Sequence, residues 1–215
     1  MNVYLIRHGE TVFNKKHWHQ PAEAPLTERG EKQATSISDV VKNLNPTHVI
    51  ASPYARAQQT AELATKLIPM KIESNEYFVE LKRPAHIVGR HHFAPISVWY
   101  LISWFLSKNQ FYQDEKRGES RLAFLNRLHD AKEHIESLPQ DANVVVFSHS
   151  VFISYFVQHI CHERPISAWK ALLLLLKIKA LGNSSVTHLT HDQTRPNGVC
   201  KWSLLNFGSD ANIIT

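Results

Sequence analysis

Two apolar runs in this chain each end on a histidine. Val3-Tyr4-Leu5-Ile6 is followed by Arg7-His8-Gly9-Glu10-Thr11, and Val144-Val145-Val146-Phe147 by Ser148-His149-Ser150. Continuous β-branched and aromatic runs of this length read as buried strands of a central sheet. Ligand sites in open α/β sheets gather beyond the carboxyl ends of strands. If the strands are parallel, one rim therefore receives two imidazoles and the Arg7 guanidinium. Gly9 lets the backbone turn sharply and come close to a ligand there.

The rest of the chain supplies the layers such a sheet needs. Thr27 reads as the N-cap of a helix with Glu28 and Glu31 in its first turn and Ala34, Ile37, Val40, Val41 and Leu44 at helical spacing, ended by Asn45-Pro46. A strand over 47–51 leads into Ser52 as N-cap and Pro53 at the first helical position, with the helix running to about Leu67. Arg56 falls in or near that first turn, beside unpaired amide donors and the positive dipole end, where an anion is welcome. A short strand near 70–72, an amphipathic helix over 120–138, helices over 151–161 and 165–179, and strands over 185–190 and 199–205 complete the pattern. Between 76 and 119 the alternation is lost, and Pro84, Gly89, His91-His92 and Pro95 mark an insertion over the sheet. The expectation is a three-layer α/β/α sandwich with a mostly parallel sheet, a single domain over 1–215, and a small cap over about 81–118.

Charge and cysteines narrow the class. The excess of 24 Lys and Arg over 19 Asp and Glu, a formal +5, suits an anionic substrate; no basic run with interleaved aromatics favours nucleic acid. A strand beginning at residue 2 leaves no room for a secretory leader, and Cys161 and Cys200 form no multi-pair framework. They read as inert thiols of a cytoplasmic protein. The apolar stretches 96–106 and 171–176 fall short of the roughly 20 residues a membrane helix needs, so they read as core or cap helices. His17, His19, His91 and His92 fit no ligand pattern and read as surface or cap residues, with no metal expected.

From the residues alone, the candidates are His8, His149, Arg7 and Arg56. Arginine's planar fork suits phosphate oxygens, and imidazole serves as nucleophile or, protonated, as a donor to an oxyanion. A leaving alkoxide also needs a proton, for which Glu80 is the chosen acid and Glu76 the other carboxylate in reach.

Arg7-His8-Gly9-Glu10-Thr11, with Asn14 behind it, resembles the signature of the histidine phosphatase superfamily, also called phosphoglycerate-mutase-like. Pro25-Leu26-Thr27-Glu28-Arg29-Gly30 with Gln33-Ala34, then Ser52-Pro53 with Arg56-Ala57 and Gln59-Thr60-Ala61, are similar to its next two blocks, in order. Glu80-Leu81-Lys82-Arg83-Pro84, Gly118-Glu119-Ser120 and Phe147-Ser148-His149 complete the set. The resemblance implies that His8 attacks phosphorus and is transiently phosphorylated, while Glu80 protonates the leaving oxygen and then activates water. It implies that Arg7, Arg56 and His149 hold the equatorial oxygens, helped by Asn14 and Ser52. Ser150 stands where the family commonly has glycine; it keeps the backbone N–H and adds a hydroxyl at the rim. Lys82 and Arg83 read first as a solvated pair, with contact between Arg83 and a second anionic group of the substrate as the alternative.

The activity this implies is metal-independent, cofactor-free hydrolysis of a phosphate monoester, on a small molecule or a phosphoprotein. Mutases of the family carry a longer, more charged lid, whereas this cap is heavy in Trp99, Tyr100, Trp104 and Phe105, which places a phosphoglycerate mutase second. A silent phospho-ligand-binding module comes third, because no catalytic position is lost. The apolar residues of 93–106 are expected to be buried in the core or a homodimer, or else to wall the leaving-group site.

Overall fold

β-branched side chains pack well on a pleated surface, and here they do so in register. The computed structural model describes residues 1–107, 109–161 and 181–209. Strand β1 (Asn2–Arg7) is followed by helices α1 (Val12–Lys16), α2 (Glu28–Ser36) and α3 (Ser38–Asn43), strand β2 (His48–Ala51), helix α4 (Ala55–Ala64) and strand β3 (Ile72–Ser74). Then come helix α5 (Pro95–Leu106), the short pair β4 (Gln113–Asp114) and β5 (Gly118–Glu119), helix α6 (Arg121–Glu136), strand β6 (Asn143–Ser148), helix α7 (Ser150–His159), and strands β7 (Val186–His191) and β8 (Trp202–Ser209).

The sheet order is β3-β2-β6-β1-β7-β8. The pairs β2–β3, β2–β6 and β1–β6 are parallel, and β7 and β8 add on antiparallel. Strand alternation splits the core in two. Val3, Leu5, Val144 and Val146 pack with Phe124, Leu128, Phe152 and Phe156 of α6 and α7 on one face. Tyr4, Ile6, Val145 and Phe147 pack with Val40, Val41, Ala61 and Ala64 of α3 and α4 on the other. Helices thus cover both faces, and the ends of β1, β2 and β6 share one rim.

Several boundaries differ from the sequence reading. The helix expected over 27–44 breaks at Ile37 (φ −93°, ψ 2°). Just before the break, Thr35 and Ser36 donate their hydroxyls to the carbonyls of Glu31 and Gln33, the local bonding that competes with a helix. Ser52 does not cap α4, which begins at Ala55 after Tyr54 and ends at Ala64. β3 and β8 lie a few residues later than expected. The helix expected over 165–179, and the apolar stretch 171–176 within it, lie outside the described residues. No described helix is long and apolar enough to cross a membrane.

The cysteines also require correction. Cys161 and Cys200 form a disulfide, with Cα atoms 5.3 Å apart and a separation of 39 positions in sequence. They are therefore not free thiols, and the argument from free thiols to a reducing cytoplasm falls with them. Strand pairing brings Cys200, just ahead of β8, to the end of α7, a proximity no spacing rule contains. Closing a loop of that length removes denatured-state entropy equivalent to about 4 kcal/mol in the chain-entropy account.

Within 81–118, α5 turns Ser97, Tyr100 and Trp104 inward, and the Trp104 indole donates to the Glu119 carbonyl at 2.9 Å. Ile96, Val98, Trp99, Ile102 and Leu106 remain exposed, so only part of this apolar run is core.

Gly9 serves a purpose other than ligand approach. A Cβ at Gly9 would lie 2.5 Å from the Gly30 carbonyl oxygen, and one at Gly30 would lie 2.1 Å from the Glu10 carbonyl oxygen. The first turn of α2 therefore packs main chain against main chain on the loop after β1. Gly30→Ala is expected to lower stability by about 3 kcal/mol, since overpacking against a backbone has no side chain to yield. A urea unfolding series checks this, and an unchanged midpoint would contradict it.

Candidate active site

The rim built by β1, β2 and β6 brings the chemistry-bearing side chains together. His8 is buried, and its Nδ1 lies 2.7 Å from the Gly9 carbonyl oxygen. An N–H at Nδ1 donates to that carbonyl and leaves a lone pair at Nε2. The His149 ring lies 5.2 Å away, centroid to centroid, and is fully buried. Burial, with Arg56 and Arg7 behind it, holds the His8 imidazole well below its ordinary value. Burial and then Arg56 do the same to His149. Both rings are uncharged at neutral pH in the absence of an anion. A bound phosphate would offset the two arginine charges.

Arg56 sits at the second position of α4, almost wholly buried, and donates through Nη1 to the Pro21 carbonyl at 3.0 Å. Its guanidinium lies 5.1 Å from the Tyr54 ring centre. Arg7, at the end of β1, donates through Nη1 to the Leu181 carbonyl. Burial pushes each arginine down to about 10, with Glu80 acting in the opposite direction, so both stay cationic. The Ser52 hydroxyl lies 2.8 Å from His149 Nε2 and accepts from the Tyr54 amide at 3.3 Å. It holds the second imidazole, which explains why it is not a helix cap.

Glu80 is buried on the same rim. Its carboxylate accepts the amides of Leu81 (2.9 Å), Val151 (3.1 Å) and Phe152 (3.1 Å), and so covers the start of α7. Glu76, the other candidate, is exposed and pairs with Lys82 at 3.6 Å. Asn14 is engaged in a capping box with Thr11 and accepts from Asn183 Nδ2 at 3.3 Å. Ser150 is the first residue of α7 and half-buried. Arg83 is half-buried and, among the described residues, makes no hydrogen bond or ion pair.

Residue reasoning passed over the groups that fix these positions. Arg127, on the inner face of α6, makes a bidentate pair with Glu119 (2.8 and 2.7 Å) and donates to the carbonyls of Tyr77 (2.9 Å) and Val79 (2.7 Å). Glu119 in turn accepts the Lys82 amide at 3.2 Å, and the Ser148 hydroxyl donates to Phe78 O at 2.7 Å. The segment carrying Glu80 is thereby tied to α6, β5 and β6. Thr60 accepts the Gly9 amide at 3.0 Å, and Asn183 donates to the His8 carbonyl at 3.0 Å. Gly118-Glu119-Ser120 was visible as a block, but nothing in it named Arg127 as the partner.

Known proteins resemble this chain in sequence and in fold. The sequence profile described as histidine phosphatase superfamily (branch 1) matches residues 3–201. A probable phosphoglycerate mutase, GpmB, of Erwinia tasmaniensis is 28% identical over 204 residues, covering 90% of this chain and 86% of that protein. Among solved structures, a putative alpha-ribazole-5'-P phosphatase of Escherichia coli superposes with a TM-score of 0.76 at 21% identity, covering 97% of each chain. A mycobacterial glucosyl-3-phosphoglycerate phosphatase gives 0.70 at 20% identity, covering 97% of this chain and 99% of its own. The profile match spans most of the chain, and the chain belongs to the histidine phosphatase superfamily, branch 1.

Proposed function

We propose that this protein hydrolyses phosphate monoesters through a phosphohistidine formed on His8. The observation that carries this reading is the uncharged His8 ring, tied by Nδ1 to the Gly9 carbonyl and flanked by Arg7, Arg56 and His149. His8 Nε2 attacks phosphorus, the P–O bond to the leaving group breaks, and Glu80 delivers its proton to the departing oxygen. Water, deprotonated by Glu80, then displaces His8 and releases phosphate. Arg7, Arg56 and His149 hold the equatorial oxygens, with Asn14, Ser52 and Ser150 at the edge of the pocket. Phosphoryl transfer is mostly positioning and charge stabilisation, so this cationic ring suffices without a metal or cofactor. The segment 81–118 acts as the cap.

Relatives named as mutases keep a phosphoglycerate mutase as the second reading. Hydrolysis is preferred because residues 93–106 contain no Asp, Glu, Lys or Arg, little to hold an anionic intermediate while it reorients. Incubation with 3-phosphoglycerate and, separately, p-nitrophenyl phosphate, in chelator, is expected to release inorganic phosphate from at least one. Formation of 2-phosphoglycerate without phosphate release from either would overturn the proposal in favour of the mutase.

A further inference from the structure

A helix on the surface of a folded chain normally shows water a polar face. Helix α5 does not. It turns Ser97, Tyr100 and Trp104 inward, which leaves Pro95, Val98, Trp99, Ile102 and Leu106 on the opposite side, all exposed. Trp99 is 68% exposed and Leu106 77%, and none of the helix's 12 residues is charged. Apolar side chains scattered singly over a surface need no explanation. Five on one face of one helix form a patch, and such a patch marks a surface that another apolar medium covers.

The charge around this patch has one sign. At the start of α5 the His91 carbonyl accepts the Ala94 amide (2.9 Å) and the Ser97 hydroxyl (2.9 Å). Trp18 pairs with His91 in an isolated antiparallel bridge, and Lys16 Nζ lies 4.6 Å from the Trp18 ring centre. The His19 amide donates to the Arg90 carbonyl at 2.9 Å. These contacts set Lys16 and Arg90 at the N-terminal end of the helix that carries the apolar face; both are exposed, as is Lys15. No acid is interleaved with them: residues 11–22 and 81–113 contain no Asp or Glu. Asp114, next along the chain, is spent on Arg117 at 2.8 Å.

We propose that the outer face of α5, together with Lys15, Lys16 and Arg90, docks this protein on the surface of an anionic lipid bilayer. Tryptophan, isoleucine and leucine beside Lys and Arg are the makings of an interfacial helix: the apolar side chains enter the headgroup boundary while the cations meet lipid phosphates. At 12 residues α5 lies in the plane of the surface and does not cross it. A second copy of this chain is the poorer occupant, because an isologous contact presses two acid-free surfaces together and leaves their cations without counter-charge. An anionic bilayer supplies the counter-charge and the apolar depth at once. The proposal stands whatever reaction the phosphate rim performs.

Co-sedimentation of the full chain with sucrose-loaded vesicles tests this apart from turnover, so a failure here leaves the hydrolase reading untouched. Two compositions are compared, phosphatidylcholine alone and phosphatidylcholine with an equal part of phosphatidylglycerol. Partitioning onto the mixed vesicles is expected to exceed that onto phosphatidylcholine by about tenfold or more, since each cation near an anionic surface contributes about fivefold. Lys15→Gln, Lys16→Gln and Arg90→Gln combined should bring the two partition coefficients within about twofold of each other. Trp99→Gln with Leu106→Gln keeps every cation, yet should lower partitioning onto the mixed vesicles by about tenfold or more. Both sets of side chains are exposed, so the melting midpoints should not move, which separates lost docking from lost folding. Absence of binding to the mixed vesicles, equal partitioning onto the two compositions, or binding that survives either set of substitutions would overturn the proposal. So would a lipid-free dimer in light scattering that Trp99→Gln with Leu106→Gln converts to monomer, which would give the face to a second copy.

Discussion

His8→Ala is expected to lower phosphate release by about 10⁴-fold or more, because the substitution removes the atom that bonds to phosphorus and leaves only binding and charge stabilisation. The proposed role as nucleophile is supported by the ring's bonding: its Nδ1 is anchored to the Gly9 carbonyl, and its Nε2 takes part in no hydrogen bond among the described residues. A quench into alkali during turnover of a ³²P-labelled ester should trap label on the unsubstituted protein and none on His8→Ala. Because burial and the arginines lower the ring's proton affinity, the nucleophile is deprotonated above its depressed value. The acid limb of the rate profile set by His8 should accordingly lie well below pH 6.5, the ordinary imidazole range. Undiminished turnover by His8→Ala would remove the phosphohistidine mechanism altogether.

Glu80→Gln should produce an effect that depends on the leaving group. An alkyl phosphate expels an alkoxide that needs a proton, and general acid assistance is worth about a hundredfold or more. Nitrophenolate leaves without that proton, so p-nitrophenyl phosphate should be slowed far less in the first step. Glutamine has one carbonyl oxygen where the carboxylate has two, so some of the amides of Leu81, Val151 and Phe152 lose their acceptor. A melting curve of the variant, expected to drop by the worth of one hydrogen bond, about 1 kcal/mol, separates that loss from the chemical one. Glu76→Gln, on an exposed side chain paired with Lys82, should leave both esters nearly unaffected. Equal slowing of the two esters by Glu80→Gln would assign the proton to another group.

The strands and their chemical ends were legible because buried runs and the residues that terminate them are local signals. Thr27 caps its helix as its hydroxyl and position suggest, accepting from Gly30. Ser52 misled for an instructive reason. Serine before proline is a strong helix start, yet the nearby His149 ring claims that hydroxyl, and only the tertiary fold brings a residue 97 positions away to it. Arg127 was silent because a single arginine in an amphipathic pattern looks the same whether it points to water or into a carboxylate. The disulfide was illegible for the same reason, since separation along the chain carries no information about approach in space. Gly9 was read for a sharp turn and close approach to a ligand, whereas the fold uses its lack of a side chain against Gly30.

That last point bears on how loss-of-function data for this protein would be interpreted. Arg7, His8 and Gly9 are contiguous, and alanine at any of the three would silence an assay. Under the proposed mechanism, only at the first two would the silence report on groups that touch the phosphate. At Gly9 the missing hydrogen-sized space pushes away the first turn of α2, and Gly30, 21 residues downstream, would give the same phenotype through the same contact. A screen scored by activity alone would enrol both glycines as catalytic. Scored for abundance as well, it would sort the motif into letters that handle the substrate and letters that keep two stretches of main chain in touch.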